Sequence, residues 1–269
     1  MIRCLWWPLL TLLLLPFPSV LAADGEQVDV ELVLAVDISY SMDADELALQ
    51  REGYIAALAS EQFLDAVRRG PIGKIAVVYV EWAGSAEQQV IIPWQVIDGP
   101  ASADEFAHKL RQVPIRRAYR TSIANALKFS AEQFGTNYKG LRRVIDVSGD
   151  GTNNQGDLIV PTRDEIVRKG ITINGLPILT NTTAGAYPTP PDLDLFFRDC
   201  VIGGPGAFYI VAHGFEDFAR AVRKKLIIEI AGAPPERLWH AAAEDKRQGP
   251  TCDIGERHWK RIIRGGIER

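Results

Sequence analysis

The stretch that most narrows the possible folds is Val28–Val36. It is near-continuously apolar, unbroken from Leu32 to Val36, and it stops abruptly at Asp37. A strand with one wet face alternates apolar and polar residues. A strand covered on both faces does not, and such strands belong to parallel sheets flanked by helices. The rest of the chain repeats the theme. Strand patterns at Lys74–Trp82, Leu141–Val147, Ile171–Ile178 and Ala207–Val211 are separated by helical spacing at Asp43–Val67, Ser102–Val113, Thr121–Phe134, Pro161–Lys169, Leu193–Cys200 and Phe215–Ile230. Gln88–Ile97 also reads as a strand, but Pro93 places it at a sheet edge, and the short AGSAE break before it implies an antiparallel hairpin. The expectation is a doubly wound α/β fold: a mostly parallel central sheet with one antiparallel edge strand and helices on both faces. Ligands of such sheets bind beyond the carboxyl ends of the strands. Asp37 stands at one of those ends.

The two ends of the chain read differently. Arg3, the apolar run Cys4–Phe17 and the small residues around Ala22 have the form of a secretory leader covering residues 1–22. The run is short for a membrane span and carries Pro8, Pro16 and Pro18. Export to a bacterial periplasm or the medium follows from that reading. Behind the leader only Cys200 and Cys252 remain; an oxidising compartment favours a disulfide between them, and two separate buried thiols are the other reading. The body of the fold is placed at 27–232. Residues 233–269, opening on Pro234-Pro235, form a C-terminal extension in which Ala241–Lys246 has helical character. A net charge of -4 gives no reason to expect a nucleic-acid partner.

The chemistry lies in hydroxyls and carboxylates at the carboxyl edge of the sheet. Asp37, Ser39 and Ser41 follow the first strand; Thr121 opens a helix; Asp150-Gly151 follows Leu141–Val147. These are hard oxygen donors with no His or Cys among them. They suit Mg²⁺, with Mn²⁺ or Ca²⁺ as alternatives, and exclude a zinc or copper site. Asp43, with Glu46 three residues on, has the pattern of a helix capping box. Asn153, Asn154 and Asp157 read as turn residues, with lining of the ligand face as the other reading. Arg116, Arg117 and Arg120 flank the proposed site and could face an acidic partner. Tyr187–Pro191 reads as a rigid extended loop, and Asn181-Thr182-Thr183 is a glycosylation sequon.

The order Asp37-x-Ser39-x-Ser41, a distant Thr121, then Asp150-Gly151 resembles the metal-ion-dependent adhesion site of von Willebrand factor type A domains. Within that family the chain is similar to an exported bacterial group of unknown function, the DUF1194 type, whose pattern VIGGPGAFYIVAHGFEDFA matches. The resemblance covers about residues 27–232. It implies that Ser39 and Ser41 ligate the metal through their hydroxyls, that Thr121 joins when a ligand is bound, and that Asp37 and Asp150 hold metal-bound waters and orient the serines. It also implies that an Asp or Glu of a partner protein completes the metal shell, that Gly151 lets the backbone pass close to the site, and that the last helix, Phe215–Ile230, can slide. One departure stands out: Arg120 precedes Thr121 where the family usually has glycine.

The expected function is binding, without catalysis. An enzyme alternative exists, because GDGTNN at 149–154 resembles the acidic loop of haloacid-dehalogenase-type phosphatases. Those enzymes carry a second carboxylate two residues after the first, as general acid; here that position is Ser39, which does not transfer protons near neutral pH. A third alternative is an envelope-assembly subunit with a purely structural metal. His108, His213, His240 and His258 are scattered, and no nucleophile-elbow motif surrounds a serine.

Overall fold

The computed structural model describes residues 25–135, 137–180, 192–232 and 247–267. The leader, the Asn181 sequon, Tyr187–Pro191 and Ala241–Lys246 lie outside the described residues. Five strands form one sheet: β1 (Glu26–Asp37), β2 (Ile75–Trp82), β3 (Gln88–Ile97), β4 (Tyr138–Gly149) and β5 (Thr172–Pro177), in the order β3-β2-β1-β4-β5. Only β3 runs antiparallel, at the edge, as Pro93 demands. The chain winds outward from β1 through β2 to β3, then returns to place β4 on the other side of β1. The crossover reverses there, so β1 and β4 diverge at the carboxyl edge and leave a crevice between their following loops.

Both faces of β1 are buried, which is why its sequence does not alternate. Val30, Leu32, Leu34 and Val36 enter one core, covered by α1 (Ala44–Leu58), α2 (Glu61–Arg68), α3 (Pro100–Gln112) and α7 (Phe215–Ala231). Val33 and Ala35 enter the other, covered by α4 (Ile123–Glu132), α5 (Ile159–Arg168) and α6 (Leu193–Phe196), which continues as a π-helical turn over Phe197–Val201. Asp29 and Glu31, buried polar residues of β1, are each used. Asp29 accepts the backbone N–H groups of Ile72, Gly73 and Lys74, and Glu31 accepts that of Gly140.

Local signals set several boundaries. Asp43 and Glu46 form the capping box reciprocally, each at 2.8 Å. The single helix expected over Asp43–Val67 is instead two, because Ser60 leaves helical geometry and caps α2. The third helix starts earlier than Ser102: Pro100 occupies its first turn, and Ser102 accepts the Asp98 and Gly99 N–H groups. The expected Ala207–Val211 strand is reduced to isolated bridges alongside β5, at Tyr209 and Ala212. An unforeseen helix, α8 (Ile254–Ile267), closes the described chain.

α7 is anchored from below. Lys225 reaches Asp146 of β4 and Glu229 of its own helix, both at 2.5 Å, with all three side chains buried. Arg142 of β4 donates to the carbonyls of Glu229 and Ile230, the last turn of α7. Among the described residues no helix is long and apolar enough to cross a membrane.

Candidate metal centre

The crevice between β1 and β4 gathers the predicted residues. Asp37 ends β1, fully buried, and its Oδ1 accepts the Ser39 N–H at 2.7 Å. This two-residue turn aims Ser39 and Ser41 the same way: their Oγ atoms are 2.8 Å apart. Ser41 Oγ–H then donates to Asp150 Oδ1 at 2.6 Å, across 109 residues of sequence. Gln50 of α1 holds the Asp37 carbonyl, fixing the end of the strand.

Thr121 faces this chain from the α4 loop. Its N–H donates to Asn154 Oδ1 at 3.0 Å, and its carbonyl accepts the Asn154 N–H at 2.8 Å. Ser122 caps α4, and Asn153, fully buried, accepts the Ala124 N–H. The Thr121 hydroxyl lies 3.7 Å from where a Cβ on Gly151 would sit. The sequence suggests turn chemistry or a place on the ligand face for Asn153 and Asn154, and Asn154 does line the cavity at the site. They are the clasps between the two loops, and their adjacency to Asp150 was the signal available.

Two details correct the expectations drawn from the family pattern. Gly151 is not where the backbone needs room, since an added Cβ there meets only ordinary contacts. That position is Gly149, whose Cβ would stand 2.9 Å from Asp37 Oδ2 and 3.4 Å from Trp82. Arg120, replacing the usual glycine, keeps the glycine-like backbone, with φ at 77°. A non-glycine residue in that left-handed region costs on the order of 1 kcal/mol.

The carboxyls of this row are held out of water. Asp37 Oδ2 is buried with no hydrogen-bond partner. Burial, and then the neighbouring Asp150, push the Asp37 carboxyl well above the ordinary carboxylate range. Burial pushes Asp150 up to about 6, opposed by the Ser41 hydrogen bond. Two carboxyls that resist ionisation, beside three hydroxyls, fit a hard divalent ion with few charged ligands. Among the described residues no group of three or more His, Cys, Asp or Glu side chains could hold a metal, so this donor set is distinguished by its hydroxyls.

The family model for DUF1194, described as a protein of unknown function, matches residues 27–234. The chain belongs to the DUF1194 family. A search of curated proteins finds no match. Among solved structures, the DUF1194 chain resembles proximal thread matrix protein 1 of the mussel byssus, with TM-score 0.53 and 13% identity over 77% of this chain and 49% of that one. A second structure of that protein, with a zinc-occupied MIDAS motif, matches with TM-score 0.51 and 14% identity over 78% of this chain and 49% of that one. A von Willebrand factor type A protein from Catenulispora acidiphila matches with TM-score 0.52 and 13% identity, over 77% of this chain and 43% of that one. The pilus adhesin SpaC of Lactobacillus rhamnosus GG matches with TM-score 0.50 and 12% identity, over 77% and 31%. This chain therefore spans at most about half the length of these proteins. At such identities the likeness establishes the fold, and this DUF1194 domain is von Willebrand A-like.

Proposed function

We propose that this protein is an exported, divalent-metal-dependent binding domain that captures a carboxylate of a partner protein. The observation that carries the reading is the continuous oxygen row Ser39–Ser41–Asp150, with the buried, unpartnered Asp37 Oδ2 beside it. Ser39, Ser41 and Thr121 would hold the ion by their hydroxyls, with Asp37 and Asp150 behind them; Mg²⁺ is the first choice, Mn²⁺ or Ca²⁺ the next. A bound divalent cation supplies a Lewis-acidic position that accepts a carboxylate oxygen. The chain's own contribution is orientation. The Asp37 turn sets both serines, the Asn153–Asn154 clasp sets Thr121, and few charged groups neutralise the ion. The zinc-occupied motif of the byssus protein and the adhesin role of SpaC support the same reading. The leader pattern at 1–22 and the Cys200–Cys252 disulfide support export.

The phosphatase alternative lacks its acid. The residue two positions after Asp37 is Ser39, already committed by hydrogen bonds to Asp37 and Ser41. The test is calorimetric titration of Mg²⁺ and Mn²⁺ into chelator-treated protein, beside Asp37→Ala and Ser39→Ala/Ser41→Ala. Heat in the wild type that vanishes in both variants is expected. No heat at millimolar metal would refute the reading. A purely structural metal would instead show as a lowered melting temperature in Ser39→Ala with every interaction retained.

A further inference from the structure

The C-terminal extension is part of the site. Cys252 bonds to Cys200 at the π-helical turn, with Cα atoms 5.5 Å apart, and this delivers α8 to the mouth of the crevice. The first turns of α8 then sit on the Asp150 loop. A Cβ on Gly255 would fall 2.1 Å from the Asn153 carbonyl oxygen, so only glycine allows this approach. Glu256 accepts a hydrogen bond from Asn153 Nδ2 at 2.7 Å. One turn on, Trp259 lies under the Arg120 guanidinium, 3.5 Å from its ring centre. The residue in the glycine-favouring conformation is thus the one whose side chain meets the tail.

Together the two parts enclose a cavity of about 770 Å³. Its floor is the metal-site oxygens of Ser39, Ser41, Thr121 and Asp150; its walls include Tyr40, Tyr119, Ile254, His258 and Trp259. Ser39, Thr121 and Asp150 are each at most 5% exposed, Ser41 between them is exposed, and Tyr119 at the rim is 73% exposed. The volume falls in the range of small-ligand pockets, about 300–1,000 Å³. The walls are chiefly aromatic and aliphatic; Arg120 and Asp192 are charged residues of the lining beside the floor's Asp150, and further cations stand outside it. Arg120 is in the wall, Arg117 lies over the Tyr40 ring, and exposed α8 carries Arg257, Lys260, Arg261 and Arg264 against Glu256. Asp192, also at the cavity, is 3.8 Å from Arg247.

We propose that the cavity takes a carboxylate borne on an aromatic or bulky apolar body, as in a peptide's C-terminal residue or a free arylalkanoic acid. Trp259 and Arg120 are the residues that select it. The proposal rests on the metal-site reading above and narrows its partner from an acidic surface to an inserted chain end. The carboxylate meets the floor, the apolar body packs between Trp259 and the tyrosines, and Arg120 adds a cation held in place by the indole.

The test uses calorimetry on the whole protein at saturating Mg²⁺, with 3-phenylpropionate, the peptide Ala-Ala-Phe and its C-terminal amide as probes. Quenching of indole fluorescence that disappears in Trp259→Phe gives a second readout. Ala-Ala-Phe is expected to bind and its amide not to. Trp259→Ala and Arg120→Gly should each weaken binding about tenfold while leaving the Mg²⁺ isotherm unchanged. Arg120→Gly relaxes the backbone, so it should fold at least as well as the wild type. Peptide binding tighter than phenylpropionate assigns the ligand to a chain end; equal affinity assigns it to the free acid. Either result supports the inference. Mg²⁺ binding with no carboxylate binding below about 10 mM, or affinity indifferent to both variants, overturns the inference and leaves the metal site standing. Absence of Mg²⁺ binding overturns both.

Discussion

Glu229→Gln should flatten the pH dependence of stability, and its size can be worked from the cluster beneath α7. Two carboxyls, Asp146 and Glu229, share one ammonium, Lys225, with all three fully buried. Glu229 Oε1 accepts from Lys225 and from Asn174 Nδ2, while Oε2 has no partner. Were every group ionised, the pocket would hold one excess negative charge away from water. Burial, then Asp146, therefore push the Glu229 carboxyl from 4.5 up to about 7, with Lys225 opposing. Asp146 is also raised, chiefly by burial. The native state keeps a proton on Glu229 that the unfolded chain has already lost above pH 4.5. Protons bound in excess by the native state mean that stability falls as pH rises through this window. At about 1.4 kcal/mol per pH unit, the ceiling is about 3 kcal/mol between pH 4.5 and about 7. Glutamine is neutral throughout and can keep the acceptor role toward Asn174. Urea unfolding at pH 5, 6, 7 and 8 should show Glu229→Gln gaining on the wild type by about 2–3 kcal/mol across the series. Asp37 and Asp150 titrate in both proteins and largely cancel in the difference. A gap constant to within about 0.5 kcal/mol from pH 5 to 8 would refute the argument that Glu229 folds protonated.

Three further perturbations probe other parts of the molecule. Gly149→Ala should abolish Mg²⁺ binding by calorimetry while Gly151→Ala leaves it intact, because only the first drives a methyl against Asp37 Oδ2. Arg51→Met leaves Glu81 buried without its cation, and should cost about 3–5 kcal/mol in urea unfolding at pH 7. That cost should shrink at pH 5, since burial already raises the Glu81 carboxyl and protonation then removes the unpaired charge. Cys200→Ser/Cys252→Ser opens a loop with a sequence separation of 52, worth up to about 4 kcal/mol of global stability in the chain-entropy account. The same variant should keep the Mg²⁺ isotherm and lose carboxylate binding. Equal loss of both would show that the metal loops, too, depend on the tail.

Most of the sheet was legible because strands buried on both faces cannot be written another way. Val28–Val36, KIAVVYVEW and LRRVIDV all became strands within a few residues of the expected ends. Pro93 correctly marked the edge. The clustering of the candidate oxygens was legible for a similar reason: a carboxylate and two hydroxyls beyond an apolar strand do little for packing, and Ser39, Ser41 and Asp150 do meet in one row. Other features depended on contacts that a linear reading does not contain. Ser60 breaks a helix whose apolar spacing runs on through it. Ala207–Val211 looks like a strand, yet meets β5 only at isolated bridges. The region of α8 reads as a charged tail, because its Gly255 is needed against Thr152 and Asn153 and its Trp259 meets Arg120, contacts that a linear reading does not contain. Arg120 was conspicuous as a departure from glycine. That the backbone stays glycine-like while the side chain serves the tail emerges only in three dimensions.

The cystine gives the two halves of the site different birthdays. The oxygens of the proposed metal site come from loops that the sheet and its helices position by their own packing, so they can assemble as soon as the body folds. The wall carrying Trp259 is held to that body through Cys252, and such bonds persist where thiols are oxidised. A chain still inside a reducing cytoplasm would own the floor of the cavity and lack its side. On the binding role proposed above, its selectivity would arise only once the bond had closed.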